Sequence, residues 1–451
     1  MINTLFLPEL REMLVEDNTS GLREFCTALH PARTAEFMEG LESSEAWRVL
    51  QHADRKLRAE IFSYFDYDRQ LEMLERENER QVADLITHVP ADDACDLLSE
   101  LPDSRVEQVL ALVPAPDRRD IRRLQTFAEG TAGSIMTTEA ACLDERLTVR
   151  EALEQLSRQA EHVETIYYIY VVDETNHLRG VVSTRMLVSS FGKQQTTLAE
   201  LMDTDILTVQ ASDDQQDVAN IVAKYDLLAI PVVDAQRHML GIITHDDVID
   251  VVLEEAAEDV QRIAAVEPLK DSYARTPILT LTWKRGMWLG ILFFAGLLTA
   301  LALRSYETEF ESFAWLVWFI PLIIGSGGNS GAQSSTLIIA AMATGDVKVS
   351  DWMKIIYREV ATGVLLGIFL GVLGLIPAMY LAPTWQAGCI VPITVFFVVI
   401  CGTFSGSILP LLFQRLGWDP ALMSNPFVAG INDLLGIVVY VNIARLILGP
   451  V

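Results

Sequence analysis

The hydrophobic pattern of the chain changes character three times. Up to about residue 130, apolar positions recur at spacings of three and four, as at Leu71, Leu74, Val82, Leu85 and Ile86, which is the signature of one helix face. Pro-Ala pairs at Pro31-Ala32, Pro90-Ala91 and Pro114-Ala115 punctuate the run. Each suits the first turn of a helix, where the N–H that proline lacks would have no partner anyway. Many short helices with repeated starts predict an all-α, superhelical domain over residues 1–130. Between 133 and 255, short β-branched and aromatic runs at 166–172 and 230–233 read as strands. From 251 to 275 the helical period returns. Leu253, Ala257, Val260, Ile263 and Ala264 form an apolar stripe, with Glu254, Glu255, Glu258 and Asp259 as an acidic band beside it. One connecting helix is expected there. Residues 276–451 then hold five apolar runs, 286–303, 313–343, 360–381, 388–413 and 426–448, each long enough to span a bilayer.

Charge divides the chain at the same place. Of 451 residues with a net charge of −27, the segment 284–451 holds 8 basic and 8 acidic groups, so the first 283 residues carry the whole imbalance. One part is composed for lipid and the other for water. An acidic soluble half repels phosphate, which argues against nucleic acid as a partner, and it suits metal cations. The five cysteines are scattered and form no zinc spacing, so a reducing compartment is expected. Residues 1–12 lack a basic stretch followed by a long apolar run, so no cleavable signal peptide is expected. Lys284 and Arg285 precede the first apolar run, Lys348, Lys354 and Arg358 lie between the second and third, and Arg415 follows the fourth. By the positive-inside rule, the N-terminal half lies in the cytosol and the C-terminus outside.

An internal repeat lies between the two parts. Tyr168-Ile-Tyr-Val-Val-Asp173 followed by Gly180 returns as Ala229-Ile-Pro-Val-Val-Asp234 followed by Gly241, with an offset of 61 residues at both landmarks. Met136 and Met202 head the copies, and each copy reads helix, strand, helix, strand, strand, helix. The pair resembles tandem CBS modules, at 133–195 and 196–255. That resemblance implies an α/β regulatory unit binding adenine nucleotides or metals, with ATP itself left open.

The membrane part departs from a plain anchor at three places. The second apolar run carries Gly325-Ser-Gly-Gly-Asn-Ser-Gly-Ala-Gln-Ser-Ser335 at its middle, where polar groups are tolerated only against protein or water. Close helix packing is one explanation, and Asn329 with Gln333 on one face point to a cavity. The third run has Gly363, Gly367 and Gly371 at packing spacing, with Glu359 at its entrance as either a cation contact or an ion-paired residue. In the last run Asp433 stands among apolar residues, with no basic neighbour on its helix before Arg445. A carboxylate at such depth requires water, a partner or a cation. Asn425, Ala429 and Asp433 are spaced to share one helix face. Oxygen donors without a His or Cys pair favour a hard ion such as Mg²⁺. Two copies of Asp433 at a dimer axis would match one divalent charge.

Here the chain resembles the MgtE magnesium channels over nearly its whole length. The resemblance is carried by Lys224-Tyr-Asp-Leu-Leu-Ala-Ile-Pro-Val-Val-Asp234, Asp246-Asp-Val-Ile-Asp250, Gly327-Gly-Asn-Ser-Gly-Ala-Gln-Ser-Ser-Thr336, and Asp419-Pro-Ala with Asn425-Pro-Phe before Asp433. It implies a homodimeric, non-enzymatic, five-span channel in the cell membrane that takes up Mg²⁺, with the 251–275 segment as a plug helix. It assigns the pore to Asp433, lined by Asn425 and Ala429 with Asn329 and Thr336 nearby. It assigns Mg²⁺ sensing to Asp226, Asp246, Asp247, Asp250, Glu255, Glu258 and Asp259, with Glu60, Asp92 and Asp96 as candidate partners from the helical domain. Bound Mg²⁺ would join mutually repelling acidic surfaces and close the pore. Three positions depart from the family pattern. Val428-Ala429-Gly430 stands where threonines are usual, 338–341 lacks the usual basic residue, and Gln215 or Gln216 falls at an acidic position. The alternative class is an ion-coupled exporter of divalent cations under CBS control. A membrane enzyme lacks its residues here, and a CBS-bearing receptor would have no use for an interrupted second span.

Overall fold

The structure is a computed structural model that describes residues 6–160, 163–269 and 273–449. It comprises two units, Met1–Glu254 and Glu255–Val451.

In the first unit, ten short helices run from Leu7–Val15 to Ala115–Leu124. Their packing skips one: Pro31–Met38 lies on Arg55–Ser63, which lies on Glu79–Ile86, which lies on Asp103–Leu112. This is a superhelix, and one continuous apolar core from Leu10 to Ile121 threads it. All five periodic positions named above are buried in that core. Pro31 opens its helix, whereas Pro90 and Pro114 stand one residue earlier, as N-caps.

Two three-stranded sheets follow. The first holds β1 (Ala140–Asp144), β2 (Thr165–Val172) and β3 (Leu178–Ser183), and the second holds β4 (Val209–Gln210), β5 (Ala229–Val233) and β6 (Met239–Thr244). In each, the first pair is parallel and the second antiparallel. The helix expected at the head of the first copy is absent; the chain there makes a turn at Thr131–Ser134 and then bridges Thr137 to Ile242 of β6. The heads are exchanged between the modules. Met136 packs against Gly241 of the second copy, and Met202 against Gly180 of the first. Neither glycine has room for a Cβ, which is why both landmarks are glycine. The 61-residue offset also sets His177 opposite His238, their rings 4.1 Å apart at the seam of the pair.

The connecting helix differs from its expected extent. It runs over His245–Ile263, beginning directly after β6. A Schellman motif ends it: Ala265 is left-handed (φ 60°), its N–H bonds Arg262 O, and the N–H of Val266 bonds Gln261 O. The expected continuation to 275 is therefore not helical where it is described, and 270–272 lie outside the described residues.

The second unit contains the membrane helices. Among the described residues, Ile278–Ser305, Val349–Leu381, Trp385–Arg415 and Asn425–Leu448 are long and apolar enough to cross a membrane. The second apolar run, 313–343, is not the single 31-residue helix its length implied. A 3₁₀ turn, Ala314–Phe319, precedes a helix over Ile320–Ala343, about 36 Å long. Its Gly- and Ser-rich stretch is continuous α-helix, so the expected interruption is absent.

Close packing accounts for most of those small residues. Gly327 and Gly331 of Ile320–Ala343 face Gly402 and Gly406 of Ile390–Arg415. A Cβ at Gly402 would lie 2.6 Å from Gly327 O, and one at Gly406 would enter the carbonyl of Gly331. Gly363, Gly367 and Gly371 meet the same fourth helix at Thr403, Phe396 and Pro392. Gly406→Ala is expected to lower the thermal unfolding midpoint of the detergent-solubilised chain. The overpacking cost is about 1–3 kcal/mol, against about 1 kcal/mol regained in helix propensity. Gly290→Ala, where nothing stands within 4 Å of the new methyl, is the control and should leave the midpoint unchanged or raise it.

Candidate functional site

The fifth membrane helix, Asn425–Leu448, begins with proline in its first turn, and its adjacent polar side chains Asn432 and Asp433 point in different directions. Asn432 is buried in the bundle. Its Oδ1 accepts from Ser405 Oγ (2.9 Å), and its Nδ2 donates to Val428 O (2.9 Å). The next residue, Asp433, is turned about 100° away. It shares a partly accessible face with Ala429 and Asn425. Gly328 forms the wall of that strip: a Cβ there would lie 3.3 Å from the Ala429 Cβ and 3.5 Å from Asp433 Oδ1. Thr336 Oγ1 donates to Asn425 Oδ1 at 3.1 Å, tying the second and fifth helices together.

Asp433, Ala429, Asn425 and Thr336 thus form one group. Asn329 and Gln333 are exposed on the second helix and no hydrogen bond links them to it among the described residues. No protein donor or cation partners Asp433 there either. Arg445 is engaged elsewhere, its Nε donating to Glu309 Oε1 at 2.7 Å. Glu359 accepts from Ser334 Oγ at 2.7 Å. Val428 is fully buried, so of the departing triplet only Ala429 and Gly430 border accessible space.

A second polar group lies in the soluble unit, where helix Ala91–Ser99 meets the start of the connecting helix. Cys95 and Leu124 share an apolar cluster with Val248 and Val251. Carboxylates crowd around this contact. Asp92 is 8% exposed and its Oδ1 has no partner. Burial, with Asp93, Asp247 and Glu164 beside it, pushes its pKa well above the carboxylate range. Burial raises Asp93 to about 6, helped by Asp247, Asp250 and Asp246. It raises Asp96 to about 7, helped by Asp93, Glu254 and Asp247, and Glu164 to about 7, helped by Glu139 and Asp247. Burial also raises Asp247, although the Thr244 hydroxyl donates to it at 2.6 Å.

Of the acids expected from the sequence, Asp92, Asp96, Asp246, Asp247 and Asp250 therefore act on one another. Asp93, Glu164 and Glu139 join them without any spacing signal. Glu60 is exposed on Arg55–Ser63 and is not among the charges acting most strongly on the group. Asp226 is likewise apart, as the left-handed C-cap of helix Gln215–Tyr225. Glu255, Glu258 and Asp259 are half-buried on the connecting helix within the second unit.

Mg²⁺ as a bound regulator can be tested against these donors. The orphaned buried oxygen of Asp92 and the all-oxygen set suit a hard cation. Among the described residues no three His, Cys, Asp or Glu side chains are close enough to enclose a bare ion. The fit is to a hydrated ion bridging carboxylates.

Protons should act in the same direction. Because these pKa values are raised by docking, the docked form binds more protons than the separated surfaces. Its added stability is complete only near pH 4 and is lost as pH rises through 6–7. In Mg²⁺-free buffer, acidification from pH 8 to pH 6 should slow proteolysis between the helical domain and the CBS pair.

Comparison with known proteins bears on both sites. Residues 320–443 match the divalent cation transporter family MgtE, 29–130 its intracellular N domain, and 132–193 with 198–254 the CBS domain. The magnesium transporter MgtE of Thermus thermophilus is 34% identical over 445 residues, 98% of each chain. That of Enterococcus faecalis is 37% identical over 443 residues, 97% of this chain and 96% of the relative. The solved soluble part of a magnesium transporter matches with TM-score 0.52 at 35% identity, over 55% of this chain and 98% of that one. The cytosolic domain of the Mg²⁺ channel MgtE in complex with ATP matches with TM-score 0.50 at 34% identity, over 54% of this chain and 98% of that one. The alignments to these relatives run through the helical domain, the CBS pair and the apolar part together, and the chain belongs to the MgtE family of divalent cation transporters.

Proposed function

We propose that this chain is a Mg²⁺-selective channel for uptake, working as a homodimer and closed by cytosolic Mg²⁺. The observation that carries the proposal is Asp433, a membrane carboxylate with no protein partner among the described residues, on a face with Asn425 and Ala429 and against the glycine wall of Gly328. A hydrated divalent ion satisfies such a carboxylate without losing its water shell, which suits an ion that dehydrates reluctantly. The relatives carry the name magnesium transporter, and that substrate is adopted here.

Homodimer formation is supported by two unpartnered surfaces. Ile249, Val252, Leu253 and Val260 are more than half exposed along the connecting helix, where a second copy of the same helix would cover them. Asn329 and Gln333 are exposed on the second membrane helix, where a water-lined axis would accommodate them. The basic residues flanking the spans support a cytosolic N-terminal half and an external C-terminus.

Closure follows from the acidic cleft. Mg²⁺ between the helical domain and the CBS pair replaces repulsion with attraction and favours the docked arrangement. Glu60, Asp226, Glu255, Glu258 and Asp259 are retained as sensing candidates alongside it. A relative's cytosolic domain binds ATP, and an adenine nucleotide is the ligand we assign to this CBS pair.

The test is Mg²⁺ flux into liposomes containing the full chain. Flux that follows the Mg²⁺ gradient alone, and stops at millimolar Mg²⁺ on the cytosolic face, is the expected result. Flux that needs a Na⁺ or H⁺ gradient would replace the channel with a coupled transporter.

A further inference from the structure

Within the second unit the connecting helix carries its own cation. Arg262 is half-buried and its guanidinium spans two carboxylates. Nη1 donates to Asp419 Oδ2 at 3.0 Å, and Nη2 donates to Glu258 Oε2 at 2.6 Å. Asp259 lies in the field of Asp419, Glu255 and Glu258 as well as of Arg262, and burial with these acids raises its pKa. The guanidinium thus offsets Glu258 and Asp419, two acids that would otherwise repel each other and Asp259.

Asp419 connects this group to the membrane part. Its other oxygen, Oδ1, accepts from the Ala421 N–H at 2.8 Å and caps the turn Pro420–Leu422. That turn leads through Ser424 into Asn425, the first residue of the helix that carries Asp433. The residue after the turn, Met423, has its carbonyl held by Ser335 Oγ of the second helix at 3.3 Å. The carboxylate held by Arg262 is thus the one that shapes the entry to the fifth helix.

We propose that Arg262 is a tethered cation that competes with divalent ions for Glu258, Asp259 and Asp419, and so sets the Mg²⁺ concentration at which the chain closes. This rests on the closure described under Proposed function. Where Arg262 bridges the acids, an incoming ion must displace the guanidinium from Glu258 and Asp419 before it gains the same carboxylates. Without the guanidinium, the same acids attract Mg²⁺ more strongly.

The experiment compares wild type with Arg262→Gln, Arg262→Lys, Asp419→Asn and Arg262→Gln/Asp419→Asn as full chains in liposomes. It reads both flux and protease protection against cytosolic-side Mg²⁺. Arg262→Gln should close at roughly three- to tenfold lower Mg²⁺, a range kept modest because the pair is partly exposed. Arg262→Lys, with the charge but not the fork, should fall between. In the Asp419→Asn background the effect of Arg262→Gln should shrink, since the competition has lost its main object. An unchanged midpoint in both Arg262 variants, or a midpoint moved to higher Mg²⁺, overturns the proposal; the latter would make Arg262 a strut of the closed form. If Arg262→Gln does not fold, Arg262→Lys alone decides by the same direction. A wild type that never closes defeats the closure itself, and that is visible before any variant is compared.

Discussion

Asp433→Asn should reduce Mg²⁺ flux at least tenfold while leaving the protein folded. The substitution keeps size and shape, and Asp433 makes no hydrogen bond or ion pair among the described residues that the fold would lose. What it removes is charge. At an effective dielectric of about 20, two unit charges 4 Å apart interact by about 4 kcal/mol, and a divalent ion doubles the charge on one side. Retained water screens much of this. Even a third of one unit interaction is a tenfold change in occupancy, since about 1.4 kcal/mol is a factor of ten. Gly328 provides an independent check. Replacing it by Leu places bulk against Ala429 and Asp433 Oδ1 and should block flux with the carboxylate intact. The adjacent Asn432 behaves differently, because it is buried in packing. Asn432→Ala should lower thermal stability, by emptying a buried, packed position and removing the bond from Ser405 Oγ, which keeps only the Gly402 carbonyl. Full flux in Asp433→Asn, measured by a Mg²⁺-sensitive dye in liposomes, would remove Asp433 from the pathway.

Joint neutralisation of Asp247, Asp250, Glu258 and Asp259 to their amides should leave the channel conducting at Mg²⁺ concentrations that shut the wild type. The shift in closing concentration is expected to be about tenfold or more, with each single amide doing less, because the carboxylates act on one another and the remainder still attract the ion. The direction is informative. Amides remove the charge that Mg²⁺ would bridge beside Asp92, Asp93 and Asp96, so neither docking nor closure should answer to the ion. What the variant should lose is the Mg²⁺ dependence of docking, read as protease protection that no longer changes with Mg²⁺. Normal closure in the fourfold variant would dissociate the acidic cleft from gating.

Much of the architecture was legible because it is written as periodicity. The helical repeat, the two copies at an offset of 61 residues and the apolar runs each follow from local spacing. The one-face arrangement of Asn425, Ala429 and Asp433 needed only a helix, which the structure supplies. Where the pattern misled, tertiary contacts had replaced a local preference. The head of the first CBS copy is not helical because Thr137 pairs with the second copy's β6. The connecting helix stops at Ile263 because Ala265 turns left-handed. The Gly- and Ser-rich segment is unbroken because its glycines admit a neighbouring backbone.

The sequence by itself determined that this chain has an acidic soluble half, a repeated α/β pair and an apolar half with one deep carboxylate. These depend on composition and on residues near one another in the chain. Only the tertiary structure decided which acids face each other. Asp93, Glu164 and Glu139 are drawn in beside Asp247 by the packing of the superhelix on the CBS pair, and no spacing announces them. It also decided that Asp433 has no partner among the described residues while Arg445, three turns along the same helix, is held by Glu309, and that Arg262 reaches Asp419 across 157 residues of chain. Electrostatic partnership depends on distance in space and on burial, and neither can be read from order along the chain.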